Sequence, residues 1–306
     1  MGEPAAQPSA APRRVVVAAI QMDCTWDADR NIAVAERLVR RAAAAGAQII
    51  LMPELFQTPY FCIEQDPRHL QLARAVGDDR AVGHFAALAR ELGVVLPISF
   101  FERAGPAYFN SVAVLDADGA LLGVYRKSHI PDGPGYQEKY YFSPGDTGLK
   151  VWATRYGRIG VGICWDQWFP EAARAMVLAG AELLFYPTAI GTEPPPAAPL
   201  DSRGHWQRTQ QGHAAANLTP LIAANRYGLE RSGQDPQRLH IRFYGASFIT
   251  DALGDKVAEA PQADDAVLIA EFDLAENAVR RDSWFVFRDR RPDLYGALVT
   301  LDGRSR

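Results

Sequence analysis

The chain has 306 residues, 48% of them hydrophobic and 22% charged, with a formal net charge of −4. A chain this long buries about three quarters of its unfolded surface, so one core needs neither disulfides nor a structural metal. The mild acidity gives no basis for a nucleic-acid partner or an anionic membrane and leaves only a slight preference for a cationic ligand.

Residues 1–13, rich in proline and alanine with no apolar core, read as a disordered tail. "RVVVAAIQM" (14–22) is a buried strand. Residues 28–45 form a helix, with Ile32, Ala35, Val39 and Ala42 on one face, Asp27 or Asp29 as cap and Gly46 as stop. A second strand spans Ala47–Leu55, a helix Arg80–Leu92, and a third strand "GVVLPISFFE". Residues 111–127 read as a hairpin turning at Asp118-Gly119. A strand over 158–164 leads into a helix running to Gly180, with Pro170 tolerated in its first turn. The strand "AELLFYPTAI", the loop "EPPPAAP", a helix over 202–218 and the strand "PLIAANRYG" follow. A second hairpin turns at Leu253-Gly254-Asp255, and "AVLIAEFDL" is the last strand. The aromatic, arginine-rich segment 284–303 reads as an extended arm suited to packing on another subunit. Helices and strands alternate before paired strands appear, which gives an α/β class with mixed sheets and one domain over 14–306.

The three cysteines, Cys24, Cys62 and Cys164, are widely spaced and form no C-x-x-C pair. Such usage argues against a disulfide framework or zinc site and for a reducing, cytoplasmic setting. No apolar run approaches the about 20 residues of a membrane-spanning helix.

Three stretches place a chemically active side chain just past an apolar strand: Glu54 in "LMPELF", Lys127 in "YRKSHIP" and Cys164 in "GICWDQW". Open α/β sheets gather ligands at such strand ends. Singly, each has an ordinary reading: a loop carboxylate, a solvated lysine, a small core cysteine. Together they compose a mechanism. A thiolate attacks a carbonyl carbon, an ammonium steadies the charge that develops, and a carboxylate shuttles the proton. The backbone N–H of Trp165 is a further oxyanion donor. This chemistry cleaves an unactivated C–N bond with no metal and no cofactor. His129 reads as a local packing residue. His205 and His213, eight apart on a helix, lack acidic partners at zinc spacing.

These stretches resemble the nitrilase superfamily of carbon–nitrogen hydrolases, from about Arg14 to Gly303. The resemblance implies a Glu54–Lys127–Cys164 triad, with Glu138 supporting the lysine, and a four-layer α-β-β-α sandwich of two mixed β-sheets. "DGPGYQEKYYFSPGDTG", "GICWDQWFPEAARAMVLAGAELLFYPTAIG", "LDSRGHWQRTQQGHAAANLTPL" and "VFRDRRPDLYGALVTLDG" resemble the branch that hydrolyses N-carbamoylputrescine to putrescine, carbon dioxide and ammonia. That branch implies homo-octamers built from dimers. A substrate that is a cation on a carbon stem needs an apolar tube ending in acid. Tyr60, Trp165 and Trp168 are candidate walls, and Asp132, Asp166 and Glu193 candidate acidic ends, Asp166 also being able to cap the following helix. The alternatives are a related amidase, for instance one acting on N-carbamoyl-β-alanine and carrying arginine in place of acid, or a catalytically inactive scaffold.

Overall fold

The computed structural model describes residues 11–194 and 201–304. The expected disordered tail, up to residue 10, and most of the "EPPPAAP" loop lie outside them.

The first half builds one helix–sheet pair. Strand β1 (Arg14–Gln21) leads to helix α1 (Ala28–Ala44), whose N-cap Asp27 accepts from the Arg30 N–H at 3.0 Å. Then come β2 (Ile49–Leu51), α2 (Arg80–Leu92), β3 (Leu96–Ala104), β4 (Ala107–Leu115) and β5 (Leu121–Arg126). β1 and β2 pair in parallel, Val17 opposite Ile49. Two backbone hydrogen bonds, Ile50 N–H to Val95 O and Val95 N–H to Gln48 O, join β2 to the start of β3. The second half supplies β6 (Val151–Thr154), β7 (Gly157–Val161), α3 (Pro170–Leu178), β8 (Leu183–Thr188), α4 (Arg203–Asn217), β9 (Leu221–Asn225), β10 (Tyr227–Arg231), β11 (His240–Tyr244), β12 (Phe248–Thr250), β13 (Lys256–Glu259), β14 (Ala266–Asp273) and α5 (Leu274–Trp284). β14 returns to pair antiparallel with β1. The result is two mixed sheets, ordered β14-β1-β2-β3-β4-β5 and β13-β12-β9-β8-β7-β6, with β10 and β11 a separate hairpin.

Period-two burial stacks these sheets into four layers. Along β1, Val15, Val17 and Ala19 face the other sheet, while Ala18 and Ile20 face α1 and α2. Along β8, Leu183 and Phe185 enter the same inter-sheet core, while Leu184 and Tyr186 pack toward α3 and α4. This is the expected α-β-β-α sandwich, with three cores between its layers. Among the described residues no helix is long and apolar enough to cross a membrane.

Local differences have local causes. The second strand is shorter than its apolar run, because Met52 and the residues after it leave the sheet for a turn. β6 is only four residues long, and β10 and β11 carry glycine and charge that mask strand character. α5 reads poorly because its apolar face is thin, with only Leu274, Ala275 and Asn277 buried. Beyond it, residues 285–304 hold two short 3-10 turns and leave Leu294, Leu298 and Val299 exposed, Val299 by 85%.

Helix α4 is tied to the turn that follows β7 through Gln167. Its side-chain Oε1 accepts from Thr188 Oγ1 (2.8 Å), Trp206 Nε1 (2.8 Å) and Gln210 Nε2 (3.2 Å), and its carbonyl lies 2.8 Å from His213 Nε2. Burial lowers the His213 pKa below 6.5, although the Gln167 carbonyl opposes the shift. The unfolded chain therefore takes up a proton more readily than the folded one, and stability falls as pH drops below about 6.5. Urea unfolding at pH 7 and pH 5 checks this: His213→Gln narrows the difference between the two pH values, and an unchanged difference contradicts it.

Candidate active site

Three loops deliver the reactive side chains to one place. Glu54 sits in the turn after β2, where its N–H donates to Thr188 O at the end of β8 in the facing sheet (3.4 Å). Lys127 is the first residue past β5. Its N–H donates to Asn110 O and its carbonyl accepts from Gly145 N–H, both at 2.8 Å. Gly145 lies so close that a Cβ there would stand 2.1 Å from Arg126 O, so glycine is required at that position. Cys164 opens a 3-10 turn, Cys164–Trp168, with φ of 40°. A non-glycine residue in that left-handed region stores roughly 1–3 kcal/mol, which the surroundings must hold.

Asp166 is what holds it. This fully buried carboxylate accepts from Ile163 N–H (2.9 Å), Tyr125 OH (2.7 Å) and His129 N–H (3.0 Å), and its Oδ1 lies 2.7 Å from His129 Nδ1. It ties the cysteine turn to the segment carrying Lys127. His129 also stacks on Phe169 with ring centroids 3.7 Å apart, a local packing role as expected.

Lys127, Glu54 and Glu138 are all fully buried. The Lys127 ammonium donates to Glu54 Oε1 (2.9 Å) and to both oxygens of Glu138 (2.9 and 2.7 Å). Asn110 Nδ2 donates to Glu54 Oε1 at 2.6 Å, and the Tyr60 hydroxyl to Glu138 Oε1 at 2.6 Å. Glu54 Oε2 is buried with no partner among the described residues. Burial alone would lower the lysine's pKa, but Glu138 and Glu54 hold it well above its ordinary value, so the ammonium stays charged. Burial and the neighbouring Glu54 charge push the Glu138 carboxyl up to about 7, against the pull of Lys127. Burial, followed by Glu54, drives the Cys164 thiol well above its usual range, with Lys127 opposing. Burial and the nearby carboxylates thus favour the protonated thiol at Cys164.

A cavity of about 410 Å³ opens over this group, with Cys164 and Glu138 in its lining. Trp165, Trp168, Tyr136 and His205 line it with Asp132 and Glu193, and no arginine or lysine does so among the described residues. Burial raises the Glu193 pKa. Two sequence expectations require correction. Tyr60 is not a cavity wall: it is buried behind Glu138 and spends its hydroxyl on that carboxylate. Asp166 is not an acidic end, because its oxygens are engaged with Ile163, Tyr125 and His129 away from the cavity. The sequence reading missed Asn110, Gln167 and Tyr136. Asn110 left one signal, an amide within the apolar run of β4.

His205 lines the cavity while His213 faces Gln167, so the two histidines do not converge. Among the described residues, Glu64, Asp66 and His69 cluster at metal-ligand spacing. Their carboxylates already accept from Ser232, Gly233, Gln234 and Arg68, which leaves a cation poor ligands.

Comparison with known proteins identifies the family. The carbon–nitrogen hydrolase family pattern matches residues 16–281. An N-carbamoylputrescine amidase of Arabidopsis thaliana is 57% identical over 95% of this chain and 97% of its own length. A citrullinase of Francisella tularensis is 52% identical over 93% of this chain and 98% of its own. The crystal structure of a carbon–nitrogen hydrolase from Helicobacter pylori superposes with a TM-score of 0.88 at 38% identity, covering 94% of this chain and 99% of that one. The chain belongs to the carbon–nitrogen hydrolase family of the nitrilase superfamily, hydrolases that act on amide C–N bonds.

Proposed function

We propose that this hydrolase cleaves N-carbamoylputrescine to putrescine, carbon dioxide and ammonia, with Cys164 as nucleophile, Glu54 as general base and acid, and Lys127 as the positive partner of the oxyanion. The observation that carries the reading is the pairing of one buried ammonium with Glu54 and Glu138 beneath a cavity that Cys164 lines and acidic groups flank. A ureido group enters with its carbonyl carbon at Cys164. Glu54 Oε2, which has no partner among the described residues, takes the thiol proton as sulfur bonds to carbon. The carbonyl electron pair moves to oxygen, where Lys127 and the Trp165 N–H face it. Glu54 returns the proton to the departing nitrogen as the C–N bond breaks, leaving a thioester. Water, deprotonated by Glu54, then adds to that carbonyl and expels the Cys164 sulfur, which takes the proton back from Glu54; the carbamic acid released breaks down to carbon dioxide and the second amine. Glu138 keeps the ammonium in place through both steps.

Substrate choice rests on the cavity's charge. Both named relatives point to ureido compounds, and citrulline differs from N-carbamoylputrescine by a carboxylate. With Asp132 and Glu193 in the lining and, among the described residues, no cationic side chain there, an added carboxylate finds no counter-ion, whereas a terminal ammonium does. Glu193 is the stronger candidate of the two. Its carboxyl is partly desolvated and adds to the negative field felt by the cavity-lining Tyr136, and an arriving cation favours its ionised form. The exposed apolar residues past α5 suit packing against a second copy of the chain, and the family resemblance implies a homo-oligomer of dimers assembling to an octamer.

Ammonia release tests the chemistry: Cys164→Ala abolishes it while the thermal midpoint stays near the parent's, and an alanine variant releasing ammonia at the parental rate refutes the assignment. Specificity is read by comparing N-carbamoylputrescine, citrulline and N-carbamoyl-β-alanine. The first is turned over best, and Glu193→Gln raises its KM by about 10- to 100-fold, the range for losing a hydrogen bond to a charged group, with kcat nearly unchanged. If neutralising Asp132 and Glu193 together leaves that KM unaltered, the acidic-end reading fails.

A further inference from the structure

Glu54 and Tyr60 lie in a segment with no helix or strand of its own, yet one aims at Lys127 and the other at Glu138. A buried turn of this kind has carbonyls that need donors. Arg226, fully buried at the junction of β9 and β10, supplies them. Its Nη2 donates to Glu54 O (2.6 Å) and Leu55 O (3.0 Å), and its Nη1 to Thr58 O (3.1 Å). Nη1 also donates to both oxygens of Glu230 (3.0 and 3.2 Å), and Glu230 Oε2 accepts the Tyr60 N–H. The guanidinium rests over the Phe243 ring, 5.4 Å from its centroid. Leu55, whose carbonyl accepts from Arg226 and whose N–H donates to Ser99 Oγ (2.9 Å), has φ of 46°, a strained conformation that needs external restraint.

We infer that the buried Arg226–Glu230 pair is a positioning clamp for the reaction: it fixes the backbone of residues 54–60 so that Glu54 and, through Tyr60, Glu138 both meet the Lys127 ammonium. The pair touches neither substrate nor the reacting atoms and acts through the two carboxylates, so the inference rests on the base role proposed for Glu54. The planar guanidinium suits the task because it spreads its donors over three carbonyls and a carboxylate at once. A lysine ammonium has three donors on a compact head and cannot span the same set.

The clamp is tested with steady-state kinetics on N-carbamoylputrescine for Arg226→Lys, Glu230→Gln and the double variant Arg226→Met/Glu230→Leu, with Glu54→Gln alongside. Replacing both partners of a buried pair with apolar groups of similar volume commonly preserves folding, so the double variant guards against a single variant that does not fold. Arg226→Lys and the double variant lower kcat by about 10- to 100-fold, the scale for misplacing a catalytic group by about 1 Å. KM stays within about threefold of the parent. Glu230→Gln, which keeps an acceptor for Tyr60 N–H but removes the charge that holds Arg226, lowers kcat by less than either of those variants. A folded double variant with parental kcat overturns the clamp, as does a loss confined to KM. If Glu54→Gln itself keeps parental kcat, the base assignment fails instead, and the two failures are told apart.

Discussion

The site depends on one constraint: a lysine ammonium with no access to water must be neutralised from within. Removing such a cation from water costs several kcal/mol unless close charges and hydrogen bonds offset it. Lys127 meets the condition with Glu54 on one side and Glu138 on the other. Two carboxylates against one cation leave the pocket floor with an excess of negative charge. That excess, with burial, explains why the Glu138 carboxyl and the Cys164 thiol are both pushed upward. In the proposed reaction the thiol stays unreactive until a base takes its proton, and among the described residues Glu54 Oε2 is a buried carboxylate oxygen without a partner.

The four-layer fold makes this meeting possible. Glu54 and Lys127 belong to one sheet and Cys164 to the other, so the reactive groups come from both sides of the inter-sheet core. Bonds crossing that boundary fix their separation: Glu54 N–H to Thr188 O, and the Asp166 carboxylate to His129 and Tyr125. Two strained residues, Leu55 and Cys164, stand at the points where the chain leaves a strand to present a side chain. The strain marks where ordinary strand and helix geometry gives way to the needs of the site.

Much of this was legible in the sequence. Glu54, Lys127 and Cys164 each follow an apolar run, and the end of such a run has a predictable place in an α/β sheet. Glu138 was reached through resemblance alone, since its loop has no periodicity to aim a side chain. The same gap explains the two misplaced residues. Tyr60 and Asp166 occupy irregular turns, where neither the 2.0 nor the 3.6 repeat fixes direction, and both proved to be supports behind the cavity. Asn110 and Arg226 were invisible for another reason. Each is a polar residue inside an apolar context whose partner lies more than 50 positions away. Pattern reading detects surfaces and cores, not the pairing of distant polar groups. The helix α5 escaped because only a thin face of it is buried.

The whole mechanism turns on a covalent bond from Cys164 to the ureido carbon, formed only once Glu54 has taken the thiol proton. Acid-quenched turnover of N-carbamoylputrescine by the parental enzyme, with the Glu54→Gln variant alongside, followed by peptide mass spectrometry, reads both parts. The expected result is a carbamoyl-type adduct in the parental enzyme, confined to the peptide holding Cys164 and absent from those holding Cys24 and Cys62, with no adduct in the Glu54→Gln variant. An adduct on a different residue, or a parental turnover rate in this variant, would contradict it.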